Sequence, residues 1–481
     1  MKKEDLFDAM GEINEEFIRN ARKERVPRRV LWMRCAAAAT CALAVLVVFL
    51  RSPFFRNKFN KEGEYTQMEG VFAVNAAYPE PVAQHMSASE FYENDAHWEW
   101  WTSYRKFTDR SSKLQDGLQG YYSNIMGQIL TAEDENTVCS PINIYIAFAM
   151  LAEVSDGSTR QQILDMLGCS DIDKLRDQAN ALWQSNYVDT PALKSLLANS
   201  IWLDQSVAYH SETLQRLADQ YFASSFSGIP GSQEMDEALR HWTDENTGNL
   251  LSEYTKDMKI DPNTVLEILS TIYYKATWMD TFLEKNTTQE TFHGTVGDTT
   301  VDMMHRSDMM GVYRTDTYIA LSLNLTDSGN MTFYLPEEGV DVNDLAADPS
   351  VLNAARYGED ENRSYPMVHL SVPKFRVTAK TDLIETIRSL GVTDALDPAV
   401  SDFTPLTTEK DELFVSKAEH AALIEIDEEG VTGAAYTELA IAEGAALPEE
   451  EIDFVLDRPF MFVVTGMDGS ILFSGIVRNI Q

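Results

Sequence analysis

Residues able to do acid–base, nucleophilic or metal chemistry are few in this chain and poorly spaced for it. The eight histidines are His85, His97, His210, His241, His293, His305, His369 and His420. No two stand four apart, so no helix presents a pair of ring nitrogens to a metal. The four cysteines, Cys35, Cys41, Cys139 and Cys169, form no C-x-x-C pair. Cys139 reads as a small buried hydrophobe. H-E-x-x-H, G-x-S-x-G, G-x-G-x-x-G and phosphate-loop signatures are absent from the sequence. The expectation is a protein that is not an enzyme and uses neither cofactor nor metal. The segment that stands out is mechanical instead. Residues 431–442 read VTGAAYTELAIA. The odd positions Val431, Gly433, Ala435, Thr437, Leu439 and Ile441 are small or apolar, and the even positions hold the polar and bulky groups. That is a strand with one face made for burial. Its first half carries minimal side chains, which enter a packed sheet with little rearrangement. Gly430 supplies a flexible start. Pro448 and the glutamates to Glu451 are too charged and proline-broken to continue a central strand. The pattern alone also fits an ordinary edge strand and loop.

Such a strand needs a sheet to enter. Helical spacing of apolar residues marks Leu114 to Leu130, Ile142 to Leu151, Thr159 to Leu167, Ala238 to Tyr254 and Asp382 to Leu390, the last ending at Gly391. Leu197 to Leu203, Val265 to Tyr274 and Met331 to Leu335 read as strands. Phe460 to Val464 and Ser470 to Val477 read as a hairpin around Asp468-Gly469. Helices first and strands mostly later is an α+β order, not a βαβ repeat.

Charge and hydropathy divide the 481 residues further. The chain has 76 Asp plus Glu against 39 Lys plus Arg, a surface that repels nucleic acid and anionic lipid. Residues 35–50, CAAAATCALAVLVVFL, carry no charge. The run is shorter than the ~20 residues that span a bilayer, but Arg34 and Arg51 can snorkel at its ends. Seven basic residues from Arg19 to Arg34 precede it and four from Arg51 to Lys61 follow, so the N-terminus is expected inside. A cleaved signal peptide is the alternative, disfavoured by the long head and by the lack of an A-x-A site close behind. The expected organisation is a cytoplasmic head over 1–29, a transmembrane signal-anchor over 30–51, an extracellular stalk over 52–111 and a folded domain over 112–481. Part of the stalk, from Phe91 to Tyr104 with Trp98, Trp100 and Trp101, is expected to pack as a short helix.

Several segments, in order, resemble serpins. They are Asn136 to Pro141 with the helix after it, Leu197 to Trp202, Thr271 to Trp278 with Phe282, Met303 to His305, and Phe333 to Pro336. Val372-Pro373-Lys374-Phe375, Leu390 to Asp394, His420, Glu428-Glu429-Gly430, Arg458-Pro459-Phe460 and Leu472 to Gly475 come after them. The match covers roughly residues 112–481. The head, Met1 to Asn20, also resembles heads of Firmicute membrane proteins, which points to a bacterial source.

The resemblance implies a serpin fold of three β-sheets with about eight or nine helices and an exposed reactive-centre loop. It implies a monomeric inhibitor whose loop is cut by a target serine protease and then enters the central sheet as a new strand, carrying the acylated protease with it. Glu428, Glu429, Gly430, Val431, Thr432, Gly433, Ala434, Ala435, Tyr436 and Thr437 match the hinge. Trp278 falls where insertion begins, the breach, and Ser140 with His420 falls at the mid-sheet shutter. Asn143 and Ser270 replace the shutter's usual Ser and Asn, and the exchange is expected to keep a hydrogen bond to His420. Val431 stands where Thr or Ser is usual. Tyr436, on the even face, is expected to point to solvent. The scissile bond falls among Glu443, Gly444, Ala445, Ala446 and Leu447. No Lys or Arg lies between Lys417 and Arg458, so the expected target is elastase-like or subtilisin-like, not trypsin-like. The alternative is a non-inhibitory serpin used as a surface binding module; bulky or charged odd-face residues would mark it, and this face has none.

Overall fold

The computed structural model describes residues 66–68, 71–131, 135–351, 362–408, 413–431 and 450–480. The expected anchor and head lie outside these residues. So do Thr432 to Thr437 and Glu443 to Leu447. The described residues from Gln67 onward form one compact unit, which carries the sheets and helices of the site.

The elements that position the site are β1 (Val71–Val74), α1 (Ala88–Tyr92), α2 (Asp95–Ser111), α3 (Gln115–Leu130), β2 (Thr137–Cys139), α4 (Pro141–Glu153), α5 (Gly157–Met166) and α6 (Ile172–Asn186). They continue with β3 (Lys194–Asp204), α7 (Ser211–Tyr221), β4 (Ala223–Gly228), α8 (Gln233–Asn246), β5 (Leu266–Thr277), β6 (Thr288–Gly294), β7 (Gly297–Met309), β8 (Tyr318–Asn324) and β9 (Asn330–Pro336). The last are β10 (Met367–Pro373), β11 (Phe375–Asp382), β12 (Glu419–Ile426), β13 (Gly430–Val431), β14 (Glu451–Val455), β15 (Phe460–Thr465) and β16 (Ile471–Val477). The central sheet runs β1-β4-β3-β5-β13-β12-β11. A second sheet contains β8-β9-β15-β16-β2, and a third runs β14-β10-β7-β6. This is the expected α+β architecture with three sheets.

Local chemistry explains the elements. Ser140 is the extended N-cap of α4 and Pro141 its first residue, where a missing N–H costs nothing. All but one of the α4 residues are buried, so α4 is a core helix between the central and second sheets, packing on β5 and β16. Helix α8 ends at Asn246, earlier than the periodicity of Ala238 to Tyr254 suggests. Gly248 and Asn249 adopt φ of +58° and +63°. A Cβ on Gly248 would meet the Tyr273 ring at 2.7 Å, so only glycine fits there.

The stalk boundary needs correction. Residues 71–111 are part of the body: β1 pairs antiparallel with β4 in the central sheet, Tyr78 stacks on Trp183 and Tyr187, and α2 packs along α6. The tryptophan-rich stretch is indeed helical. Its inner face, with Trp100 stacked on Tyr104, meets the protein, while Trp98 stays 69% exposed. A strand of only four residues, Val-Phe-Ala-Val, carries too little periodicity to be read alone.

Candidate functional site

The site is a seam in the central sheet between β5 and β12. β5 is fully paired on one side with β3, from Leu266↔Leu203 to Lys275↔Lys194. β12 is fully paired on one side with β11. On their facing edges the described residues supply only β13, through Gly430↔Thr277, Val431↔Ala276 and Ile426↔Val431. A small cavity lies in the seam, lined by Thr271, Ile272 and Tyr274 of β5, Ala421 to Leu423 of β12, Leu250, Leu251 and Phe473. The seam is closed at its upper end by the first two residues of the loop.

That upper end is tightly built. Asp427 Oδ1 accepts from the N–H groups of Glu429 and Gly430, at 2.9 and 3.1 Å, which fixes the turn leaving β12. Trp278 donates its backbone N–H to Glu429 O (2.8 Å) and its indole N–H to Asp427 O (2.9 Å). Phe282 N–H donates to Glu428 O at 2.9 Å. The Glu428 carboxylate, 10% exposed, accepts from Thr287 Oγ1 at 2.7 Å and pairs with Lys374 Nζ at 2.7 Å. Burial alone would raise its pKa; the Lys374 ammonium and the Thr287 hydroxyl outweigh that and hold it below the usual carboxylate range. Gly430 is required for closeness rather than for freedom: a Cβ there would sit 2.1 Å from Ala276 O. Val431 is buried at 1% exposure among Ala276 and Ile426. Its apolar side chain suits that position, so the absence of the usual hydroxyl leaves no gap in polarity here.

Mid-sheet is different. Ser140 and His420 do meet, through the Ser140 backbone N–H, which donates to His420 Nε2 at 2.8 Å. An accepting Nε2 puts the proton of the neutral ring on Nδ1. Burial pushes the imidazole pKa down to about 4, so the ring is neutral near pH 7. The expected side-chain bond from Asn143 or Ser270 to His420 does not form. Among the described residues, Ser140 Oγ, Asn143 Oδ1 and Ser270 Oγ are buried without a hydrogen-bond partner. So is Oδ1 of Asn199, which lies directly across from Ser270.

The structure thus brings Glu428, Glu429, Gly430 and Val431 together with Trp278, and Ser140 together with His420. Lys374 and Thr287 belong to the site as well. In the sequence both stand out only as parts of motifs, Thr287 in the stretch that follows Trp278 and Phe282, and Lys374 between Pro373 and Phe375. A lysine set between Pro373 and Phe375 is the signal that was there to use.

Three sheets, a seam between two central strands and a hinge already wedged into its top are the features of the serpin architecture. The sequence profile of the family described as "Serpin (serine protease inhibitor)" matches residues 122–480. The chain belongs to the serpin family. It is similar to Serpin-ZX of Arabidopsis thaliana, 28% identical over 373 residues that cover 74% of this chain and 95% of that protein. It is similar to neuroserpin of Mus musculus, 29% identical over 388 residues, with 74% and 88% covered. Among solved structures, the thermophilic serpin tengpin in its native state superposes with a TM-score of 0.67 at 23% identity, over 76% of this chain and 94% of that one. Human thyroxine-binding globulin gives 0.65 at 23% identity, over 76% and 98%. At such identities the structures speak to the fold alone.

Proposed function

We propose that this serpin is a suicide-substrate inhibitor of serine proteases, displayed outside the cell on an N-terminal membrane helix. The observation that carries the reading is Gly430–Val431, a strand already begun at the top of a seam whose facing edges pair with no other described strand. Continuing its register brings Gly433 opposite Tyr274 and Ile424, Ala435 opposite Ile272 and Ala422, and Thr437 opposite Ser270 and His420. Tyr274, Ile424, Ala422 and His420 are buried, so the small odd face enters the core as its composition requires. Twelve residues at ~3.3 Å each make a strand of ~40 Å. Even-numbered Tyr436 falls opposite Thr271 and Ala421, beside Leu250 and Leu251, and so finds an apolar roof rather than bare solvent.

The protease class rests on the loop sequence. Small or aliphatic residues at Gly444 to Leu447 fit an elastase-like or subtilisin-like pocket, with Ala445 or Ala446 before the cut. Cleavage after Glu443 by a glutamyl-specific protease is the runner-up. The membrane anchor rests on the apolar run at 35–50 and its basic flank. A bacterial source rests on the head alone; Serpin-ZX and neuroserpin are plant and animal proteins. The test is to incubate the protein with a protease panel, look for SDS-resistant complexes and identify the released peptide by mass spectrometry. Complexes with elastase or subtilisin, and none with trypsin, are expected. Loop cleavage by every protease without any complex favours the non-inhibitory binding module.

A further inference from the structure

Opening the seam for a new strand separates β5 from β12 by one strand spacing, ~4.8 Å. Whatever pins the upper end of β5 therefore bears on the barrier. That end is held by the turn Leu325 to Gly329 between β8 and β9. Thr326 N–H donates to Thr277 O at 2.9 Å, and Met279 N–H to Asn324 O at 2.9 Å. Ser328 Oγ lies 2.8 Å from the hydroxyl of Tyr274, the ring that faces the seam. Asp327, at the centre of the turn, holds the left-handed φ of +55° without being glycine. Its carboxylate, 10% exposed, is occupied by one side chain from α1 and one from α2: Tyr92 Oη donates to Oδ2 at 2.8 Å, and His97 Nε2 lies 3.1 Å from Oδ1. The two helices are themselves fixed. Phe91 is fully buried, Tyr104 Oη donates to Ser185 O at 2.8 Å, and Ser111 at the end of α2 donates to the buried Asp468.

We propose that the α1–α2 pair is a latch on sheet opening: through Tyr92 and His97 it holds Asp327, and through that turn it keeps Tyr274 and the top of β5 in the closed position. The proposal rests on the insertion reading of the loop. Removing the latch lowers the barrier to strand entry without weakening the sheet once it is filled.

The probe is a synthetic peptide of residues 431–441 added to the full chain, with its uptake followed by native gel. Tyr92→Phe removes one donor and little else. Asp327→Gly removes the carboxylate and suits the left-handed backbone. Each is expected to take up peptide ~10-fold faster than the parent, a change of ~1.4 kcal/mol in the barrier. The double variant should be no faster than the faster single one, because both act at one contact. The melting temperature of the loop-cleaved form should not move. Rates within twofold of the parent overturn the latch. So does an equal loss of stability in intact and cleaved forms, which marks a purely structural role. A parent chain that never takes up the peptide sinks the insertion reading itself, and the latch with it.

Discussion

At the top of the seam Trp278 uses both of its N–H groups on the hinge turn and Glu428 has both an ion pair and a hydroxyl. Half a sheet lower, Ser140 Oγ, Asn143 Oδ1 and Ser270 Oγ are buried with no partner among the described residues. Buried polar atoms left in that state cost ~1–3 kcal/mol each. The comparison separates two tasks along one seam. The upper end holds the loop's first residues in place, while the middle carries unmet hydrogen-bonding capacity. On the proposed inhibitory reading, an inserted Thr437 would lie opposite Ser270 and His420 and could answer part of that capacity.

The comparison breaks most visibly on the face that enters. Gly433→Arg or Ala435→Glu puts an unpaired charge into the sheet, at a cost of several kcal/mol. Either change should abolish SDS-resistant complexes and leave a cleavable substrate. Thr432→Glu, on the other face, should keep them. Equal effects from both faces would break the register that Gly430↔Thr277 and Ile426↔Val431 define.

Gly430→Ala tests the entrance. Its Cβ would stand 2.1 Å from a backbone oxygen that cannot rotate away, and overpacking of this kind costs ~1–3 kcal/mol or more. Denaturant unfolding of the intact form should fall by that amount. An unchanged midpoint would mean that β13 is not needed at the top of the seam.

Acid tests the middle. The unfolded chain takes a proton on His420 near pH 6.5, the native ring only near pH 4. Protonation between those values favours the unfolded state, so native stability should fall as pH drops from about 6.5 to 4, by up to ~3 kcal/mol. In His420→Gln that slope should flatten. Glu428 acts in a lower window. Its depressed pKa means that its contribution is complete above the ordinary carboxylate value and lost as pH falls through the folded one. Glu428→Gln at pH 7 should cost ~2 kcal/mol, the scale of a charge-assisted bond lost in a largely buried place. A variant as stable as the parent would show that Trp278 holds the turn unaided.

The smallest effect sharpens the comparison best. Thr437→Val keeps shape and removes the hydroxyl that would meet Ser270 and His420. The loop-cleaved form should lose ~1–2 kcal/mol while the intact form is unchanged. Equal stability of both cleaved forms would show that another group answers the mid-sheet atoms.

The sequence by itself determined the class of fold and the order of its parts. Periodicity marked the core helix after Pro141, the long strand ending at Trp278 and the C-terminal hairpin, because burial writes a period of 3.6 or 2 into side-chain type. It also marked the small or apolar odd face of residues 431–442, the pattern of a strand with one face made for burial. Tertiary structure alone decided the rest. That Gly430 is present for contact with Ala276, and that Lys374 answers Glu428 from 54 positions away in the chain, depend on which strands lie side by side. The same is true of Val71 to Ser111. Four strand residues and one aromatic helix carry too little pattern to announce a partner, and their place became visible only where β4 offered an edge and Asp327 a carboxylate. Even the shutter, whose residues were named from sequence, came out differently in its bonds. Residue type gives the capacity to donate or accept, and only the distance between chain segments decides whether the capacity is met.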